Sequence, residues 1–206
     1  MTVATVPSPV GFINMPYVRR YEPVYLAFIA GLAGFGISPS AAVHDPSSQF
    51  QLDRTFQLVS NSDYSFHDLS LLSLDRTPPP TPHFNMPFEL GLAVATARLK
   101  NRNHQWFVFG SDALRLNKAL SDLGGVNIRV HDMTPESILR SLLNALDREA
   151  PKPSYADLHA IYISVQKAAR SIKRELGGSL FDTRPFGDLS YVAIETARAL
   201  QAATTG

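Results

Sequence analysis

The feature that most constrains this chain is an alternation of short apolar runs of strand length with longer segments of helical period. The predicted strands are VGFIN (10–14), GISPSAAV (36–43), YSFHDL (64–69), QWFVFG (105–110) and NIRVHD (127–132). The helical segments that follow them are 21–35, 50–62, 88–100, 111–125 and 135–150. Five successive β-α pairs predict an α/β fold whose parallel sheet is covered by helices on both faces. For a chain of this size we expect a five-stranded, flavodoxin-like sheet with the strand order 2-1-3-4-5.

The pattern changes after residue 150, where PKPS (151–154) is a break and two helical segments follow without a credible strand. We therefore predict an α/β domain over 9–150 and a C-terminal two-helix appendage over 151–206. An apolar stripe in the appendage predicts packing on the domain, with self-association as the alternative. The stripe consists of Leu158, Ile161, Tyr162, Val165, Ala168, Ala169 and Ile172.

Two further segments carry local predictions. The first helix is expected to bury one face, which is formed by Tyr25, Phe28, Ile29 and Leu32. The proline-rich segment DRTPPPTPHF (75–84) is expected to be a loop without regular structure, because proline lacks an N–H donor and fixes φ.

Composition narrows the class of partner. The 206 residues include 19 basic and 18 acidic side chains, and the formal net charge of +1 gives no field that attracts nucleic acid or an anionic membrane. No Cys is present, which excludes disulfides and thiolate chemistry and is compatible with a cytoplasmic location. The start of the chain lacks a secretory signal, and the longest apolar stretch is too short to cross a bilayer. The six His residues have no ligand-type spacing, so we predict no metal and no bound cofactor.

Ligands of an open parallel sheet bind beyond the carboxyl ends of the strands, where the strand order reverses. With the order 2-1-3, this reversal lies between the first and third strands. Three polar segments are predicted to form its rim: NMPYVRR (14–20), HDLS (67–70) and NMPFE (85–89). The candidate site residues within them are Asn14, Tyr17, Arg19, Asp68, Ser70, Asn85 and Glu89. His67 is out of phase with Asp68 along the strand, so we predict a packed, hydrogen-bonded histidine.

Glu89 most needs an explanation, because apolar residues surround it in FELGLA. Its predicted position is the first turn of the third helix, where exposed N–H groups and the helix dipole stabilise an ionised carboxylate. A carboxylate above an apolar crevice can stabilise or attack a positively charged sugar carbon while a glycosidic bond breaks. The alternative is a structural acid in a helix start that Asn85 caps. Asp68 and Ser70 likewise have a structural alternative, which is a turn closed by their own backbone.

The strings FNMPFELGLA and SDYSFHDLS resemble a bacterial family of small TIR-like and nucleoside 2-deoxyribosyltransferase-like proteins. The resemblance extends through most of residues 9–148, including VGFINMPY and SDLGGVNIRVHD. It implies a TIR-like fold. It also implies that Glu89 matches the Glu that attacks the sugar C1′ in the transferases, or that acts at the nicotinamide ribose in TIR-type NAD hydrolases. Bacterial defence or stress signalling is the setting that the resemblance implies, with assembly into a homo-oligomer.

These observations lead to one leading function and two alternatives. The leading prediction is an N-glycosidic-bond hydrolase that cleaves NAD or a related nucleotide, with Glu89 as nucleophile or cation stabiliser and Asp68 as a second catalytic residue. Nicotinamide leaves from a cationic glycoside without an acid, whereas a nucleoside base departs poorly unless a group such as Asp68 protonates it. The residues expected to bind the substrate are Asn14, Tyr17, Arg19, Ser70 and Asn85. A nucleotide-sensing or self-assembling module without catalysis and a nucleoside deoxyribosyltransferase are the alternatives.

Overall fold

One parallel sheet organises the part of the chain that the computed structural model describes, which is residues 7–43, 51–71, 74–75, 81–82, 84–99, 104–121, 125–146 and 152–205. The strands are β1 (Val10–Asn14), β2 (Ser38–Ala41), β3 (Tyr64–Asp68), β4 (Leu74–Asp75), β5 (Thr81–Pro82), β6 (Gln105–Gly110) and β7 (Ile128–Val130). The main sheet has the order β2-β1-β3-β6-β7, and all its neighbouring strands are parallel. Counted along this sheet, the order is the predicted 2-1-3-4-5, so the flavodoxin-like α/β fold is confirmed.

Helices follow the strands and cover the sheet. They are α1 (Glu22–Gly34), α2 (Gln51–Ser60), α3 (Asn85–Leu99), α4 (Ala113–Ala119), α5 (Pro135–Ala145), α6 (Tyr155–Leu176) and α7 (Thr183–Thr205), with one 3-10 turn at Arg19–Tyr21. Helix α6 has a clear sequence signal at each end. Ser154 and Asp157 form a reciprocal capping box at its start, and Gly177 adopts the left-handed conformation at its end. No helix among the described residues is long and apolar enough to cross a membrane.

The alternation of side chains along the strands divides the core between the two faces of the sheet. Ile13, Phe66 and Phe109 pack with α1 and α5 on one face. Phe12 packs with Val59 of α2 and with α3 on the other face. Because successive strand residues point to opposite faces, the chain can supply two apolar surfaces from a single sheet.

Helix α1 is buried on all sides, which differs from the single buried face that the sequence predicts. Every residue from 24 to 34 is buried, because α5, α6 and α7 all pack against this helix. The apolar stripe of α6 accordingly faces the domain, and Leu158 and Val165 are fully buried. Gly34 permits the close approach, since a Cβ at this position would lie 2.2 Å from Leu158 Cδ2. The prediction that this stripe packs on the domain is therefore confirmed.

Three local predictions are wrong. Helix α3 begins at Asn85, three residues before the predicted start, and Pro87 lies in its first turn, where a missing N–H costs nothing. Helix α4 ends at Ala119, well before the predicted end at residue 125. The segment 75–84 is not wholly irregular, because Asp75 and Thr81 pair between β4 and β5 in a short antiparallel ladder.

Candidate functional site

The candidate site lies at the carboxyl ends of β1 and β3, where the strand order reverses. Asn14 is the last residue of β1 and Asp68 is the last residue of β3. Glu89 approaches from α3, and the chain that follows β1 passes through Tyr17 and Arg19 into α1. The three predicted rim segments therefore follow β1, follow β3 and begin α3.

Glu89 occupies a core position of α3. The buried residues of this helix are Met86, Glu89, Leu90, Ala93 and Thr96, a spacing of three and four that defines one helical face. Glu89 is only 9% exposed. Glu89 therefore places a carboxylate on the apolar face by which α3 packs on the sheet. Burying this charge without compensation costs free energy.

The position of Glu89 corrects one prediction about its charge. Because α3 starts at Asn85, Phe88 already donates its N–H to the Phe84 carbonyl at 3.1 Å, and Glu89 lies beyond the free N–H groups of the first turn. Burial raises the pKa of Glu89 from 4.5 to about 7, and a hydrogen bond with Asn14 opposes that rise. The expected dipole-stabilised anion is therefore wrong, since near neutral pH this carboxyl group is divided between its two protonation states.

Asn14 connects Glu89 to a chain of buried hydrogen bonds. The Asn14 amide nitrogen lies 2.9 Å from His67 Nδ1, and His67 Nε2 lies 2.9 Å from Ser65 Oγ. Ser65 Oγ in turn lies 3.0 Å from His104 Nε2, and His104 Nδ1 lies 2.8 Å from the carbonyl oxygen of Ser62. This series of hydrogen bonds runs along the sheet face that α2 and α3 cover, from the carboxyl ends of the strands toward their amino ends. His67 is packed and hydrogen-bonded, as its phase along β3 predicts.

The direction of donation along these hydrogen bonds is set by the last acceptor, which is the Ser62 carbonyl. The Ser62 carbonyl can only accept, so His104 donates to it from Nδ1, and His104 Nε2 is assigned as the acceptor of the Ser65 hydroxyl. Ser65 Oγ then accepts from His67 Nε2, which leaves His67 Nδ1 as an acceptor for the Asn14 NH₂ group. Burial lowers the pKa of His67 to about 3, so this ring is neutral at physiological pH. Asn14 is consequently held with its donor group toward His67.

Asp68 belongs to a second cluster. Its Oδ2 atom lies 3.1 Å from His131 Nε2 with both side chains fully buried, and its Oδ1 atom accepts the Ser70 N–H at 2.8 Å. Ser70 Oγ lies 3.2 Å from the same His131 nitrogen, and Ser70 also hydrogen-bonds the Tyr21 hydroxyl. Asp68 and Ser70 therefore form the turn that was the structural alternative for them.

Ser70, His131 and Asp68 have the composition of a nucleophilic triad but not its arrangement. A triad needs the carboxylate at Nδ1 and the hydroxyl at Nε2 of the histidine. Here Asp68 and Ser70 share Nε2, while Nδ1 accepts the Met133 N–H at 3.2 Å. Met133 itself has a positive φ of 67°, so the loop that supplies this N–H is held in a strained conformation. This geometry does not allow His131 to remove a proton from Ser70.

The other candidate residues have different surroundings. The Tyr17 hydroxyl donates to the Ile13 carbonyl at 2.9 Å and accepts the Ala42 N–H at 3.1 Å, so it joins the ends of β1 and β2. Burial raises the pKa of Tyr17, and the charges of Glu89 and Arg54 both act on it. Arg19 and Asn85 are exposed. No hydrogen bond or ion pair joins Glu89 to Asp68 within the described ranges.

Four residues that hold these side chains in place were not predicted from the sequence, which are Ser65, His104, Tyr21 and His131. The dipeptide His131-Asp132 after a strand was the only local signal, because the others are recognised only once β1, β3 and β6 are paired. Where the structure describes the chain, no group of three His, Cys, Asp or Glu residues could hold a metal ion.

Comparisons with known proteins give no family for this chain. No protein-family model, no curated protein and no solved structure matches it. The resemblance to TIR-like and deoxyribosyltransferase-like proteins therefore stays a prediction from the two short motifs.

Proposed function

We propose that this protein cleaves the N-glycosidic bond of NAD or a related nucleotide, with Glu89 acting on the ribose carbon. The observation that carries the proposal is a buried carboxylate at the reversal of strand order, hydrogen-bonded to Asn14 and with its pKa raised to about 7. Buried carboxyl groups with strongly shifted pKa values cluster at functional sites. Glycosidic cleavage can use such a group, because positive charge develops on the sugar carbon.

The proposed reaction has two steps. A Glu89 oxygen forms a bond to the ribose C1′ while the bond from C1′ to the nicotinamide nitrogen breaks. The bonding electron pair goes to the ring nitrogen, which converts the pyridinium into neutral nicotinamide. Water then attacks C1′, Glu89 leaves as the carboxylate, and one proton is released, so the products are ADP-ribose and nicotinamide.

The charge of the substrate suits the environment of Glu89. A pyridinium ring near a buried carboxyl favours the ionised form, because opposite charges lower the pKa of an acid. Binding of NAD would therefore displace the proton that the empty site retains near neutral pH. A neutral nucleoside offers no such interaction, so it would leave more of Glu89 protonated and inactive as a nucleophile.

The deoxyribosyltransferase alternative requires Asp68 to act as a general acid. A neutral base departs readily only if an acid protonates it. Asp68 Oδ1 accepts the Ser70 N–H, while Oδ2 is buried 3.1 Å from His131 Nε2 without a hydrogen bond. Both oxygens lie among protein groups next to Tyr21, which favours a substrate whose leaving group needs no acid from Asp68. Bacterial defence or stress signalling remains a prediction that rests on the resemblance alone.

The test incubates the purified chain with NAD and with a panel of purine and pyrimidine nucleosides, and follows released base by chromatography. We expect nicotinamide release by the wild type and at least a 100-fold lower rate for Glu89→Gln, which keeps the size of the side chain but removes its charge. Glu175→Gln is the matched control, because Glu175 is exposed at the end of α6. NAD binding without release of nicotinamide, equal in wild type and Glu89→Gln, would instead establish the sensing module.

A further inference from the structure

A cavity lies beside Tyr17 and Arg19 of the candidate site, at the turn that joins α6 to α7. Its volume is about 450 Å³. Tyr17, Arg19 and Glu22 line it from the chain after β1, and Lys173, Ser179 and Phe181 line it from the end of α6 and the turn. The cavity therefore lies between the α/β domain and the C-terminal helices, and it exists only because the appendage packs there.

The charges in this cavity favour an anion. Lys173 forms an ion pair with Glu22, which joins the last turn of α6 to the first turn of α1. Arg19 is exposed, and no carboxylate of the described residues pairs with it. The lining therefore carries two cations and one anion, and a second carboxylate, that of Asp182, lies 3.4 Å from the Cβ position of Gly178. Arg19 is the cation of the lining that makes no ion pair with a described carboxylate. A guanidinium matches the geometry of phosphate oxygens.

Neutral donors add to this charge. Ser179 Oγ accepts the Phe181 N–H at 3.1 Å, which leaves its hydroxyl hydrogen free to donate outward. Gly177 and Gly178 line the cavity with backbone alone. A Cβ at Gly177 would meet no atom within 4 Å, so this side of the cavity is open to a ligand. A charged donor, a hydroxyl and bare backbone are the groups that hold phosphates in proteins.

Tyr17 relates this cavity to Glu89. Its ring packs against Phe181 with centroids 5.5 Å apart on the cavity side. Its hydroxyl lies between the ends of β1 and β2, where the charge of Glu89 acts on it. Tyr17 is therefore the residue that the cavity and the surroundings of Glu89 have in common.

We propose that the cavity formed by Arg19, Lys173 and Ser179 binds the phosphate or pyrophosphate group of the nucleotide whose glycosidic bond is cleaved at Glu89. This inference rests on the proposed function for the identity of the sugar, and it makes phosphorylated nicotinamide ribosides, rather than free nucleosides, the substrate class. It also gives the C-terminal helices a part in substrate recognition.

The experiment measures binding of inorganic pyrophosphate to the full chain by calorimetry. Arg19→Gln removes the charge, and Arg20→Gln is the matched control, because Arg20 is its exposed neighbour and does not line the cavity. We expect at least tenfold weaker binding for Arg19→Gln and unchanged binding for Arg20→Gln and Glu89→Gln. If the wild type does not bind pyrophosphate, or if Arg19→Gln and Arg20→Gln bind it equally, the inference is overturned.

A second measurement connects the cavity to catalysis. The KM of Arg19→Gln should rise at least tenfold for nicotinamide mononucleotide and stay unchanged for nicotinamide riboside, which lacks the phosphate. Equal changes for both compounds would refute a phosphate role for Arg19. Because pyrophosphate binding needs no cleavage, loss of the proposed activity with intact, Arg19-dependent pyrophosphate binding would refute only the glycosidase.

Discussion

Replacing Glu89 with Gln should stabilise the protein at alkaline pH. The wild-type carboxyl has its pKa raised from 4.5 to about 7 by burial, so the folded state holds a proton that the unfolded state releases between these values. Each pKa unit corresponds to about 1.4 kcal/mol, so the free energy of unfolding of the wild type is lowered by about 3 kcal/mol once both states are ionised. Glutamine is neutral at every pH and escapes this loss.

The size of the effect depends on pH. Below pH 4.5 both states of the wild type are protonated, and the variant and the wild type should have nearly the same stability. As pH rises from 4.5 through about 7, the stability of the wild type falls relative to the variant, and the difference is constant above pH 8, where both states are ionised. For a chain of this length, a difference of about 3 kcal/mol corresponds to a rise in Tm of about 6 to 12 °C.

Urea unfolding of both proteins at pH 4.5, 7 and 8.5 would measure this difference, with Glu175→Gln as the exposed control that should show none. Because each variant is compared with the wild type at the same pH, other titrating groups cancel. A Glu89→Gln variant that is less stable than the wild type at pH 8.5 would show that the carboxylate makes compensating bonds, and the burial argument would fail.

Further predictions concern the reaction and the packing. The kcat/KM of the wild type for NAD should rise with pH, with an apparent pKa near 7. In Asn14→Ala this rise should occur at higher pH, because the hydrogen bond that lowers the pKa of Glu89 is lost, and an unchanged pH profile would show that Asn14 does not act on Glu89. Asp68→Asn should lower the rate of NAD cleavage less than about tenfold, since nicotinamide leaves without an acid, and a loss as large as that of Glu89→Gln would contradict this mechanism. Gly34→Ala should destabilise the fold by about 1–3 kcal/mol in thermal or urea unfolding, because its Cβ would meet Leu158. Gly187→Ala in α7, where no atom lies within 4 Å of the new Cβ, should stabilise by about 0.5–1 kcal/mol, and equal effects at the two glycines would refute the packing explanation.

The strand order could be predicted because it follows from apolar periodicity and from the connection rules of parallel sheets. The charge state of Glu89 could not, because it depends on where α3 starts. Pro87 indicates a helix boundary in the sequence, yet it lies inside the first turn of α3. The helix therefore starts three residues earlier than predicted, and Glu89 lies beyond the free N–H groups, on the apolar face of the helix.

The hydrogen-bond chain behind Asn14 was also beyond sequence analysis. Asn14 and His67 are 53 residues apart, and Ser65 and His104 are 39 apart. Asn14 meets His67 because β1 pairs with β3 in a register that places these two residues opposite each other, and Ser65 meets His104 because β3 pairs with β6 in a register that places Tyr64 opposite Gln105. A shift of β3 by one residue would turn Ser65 and His67 to the other face of the sheet and break the hydrogen bonds that these two side chains make.

The burial of α1 on all sides also affects synthesis of the protein. Its covering helix α7 ends at Thr205, while α1 begins at Glu22, so the ribosome must add more than a hundred residues before the cover exists. At about 5–20 residues per second this takes on the order of ten seconds. During that time the nascent chain exposes an apolar helix on the side that α6 and α7 will occupy. We therefore expect truncation within α7 to yield aggregated chains, and chaperones that bind apolar segments to recognise α1 first.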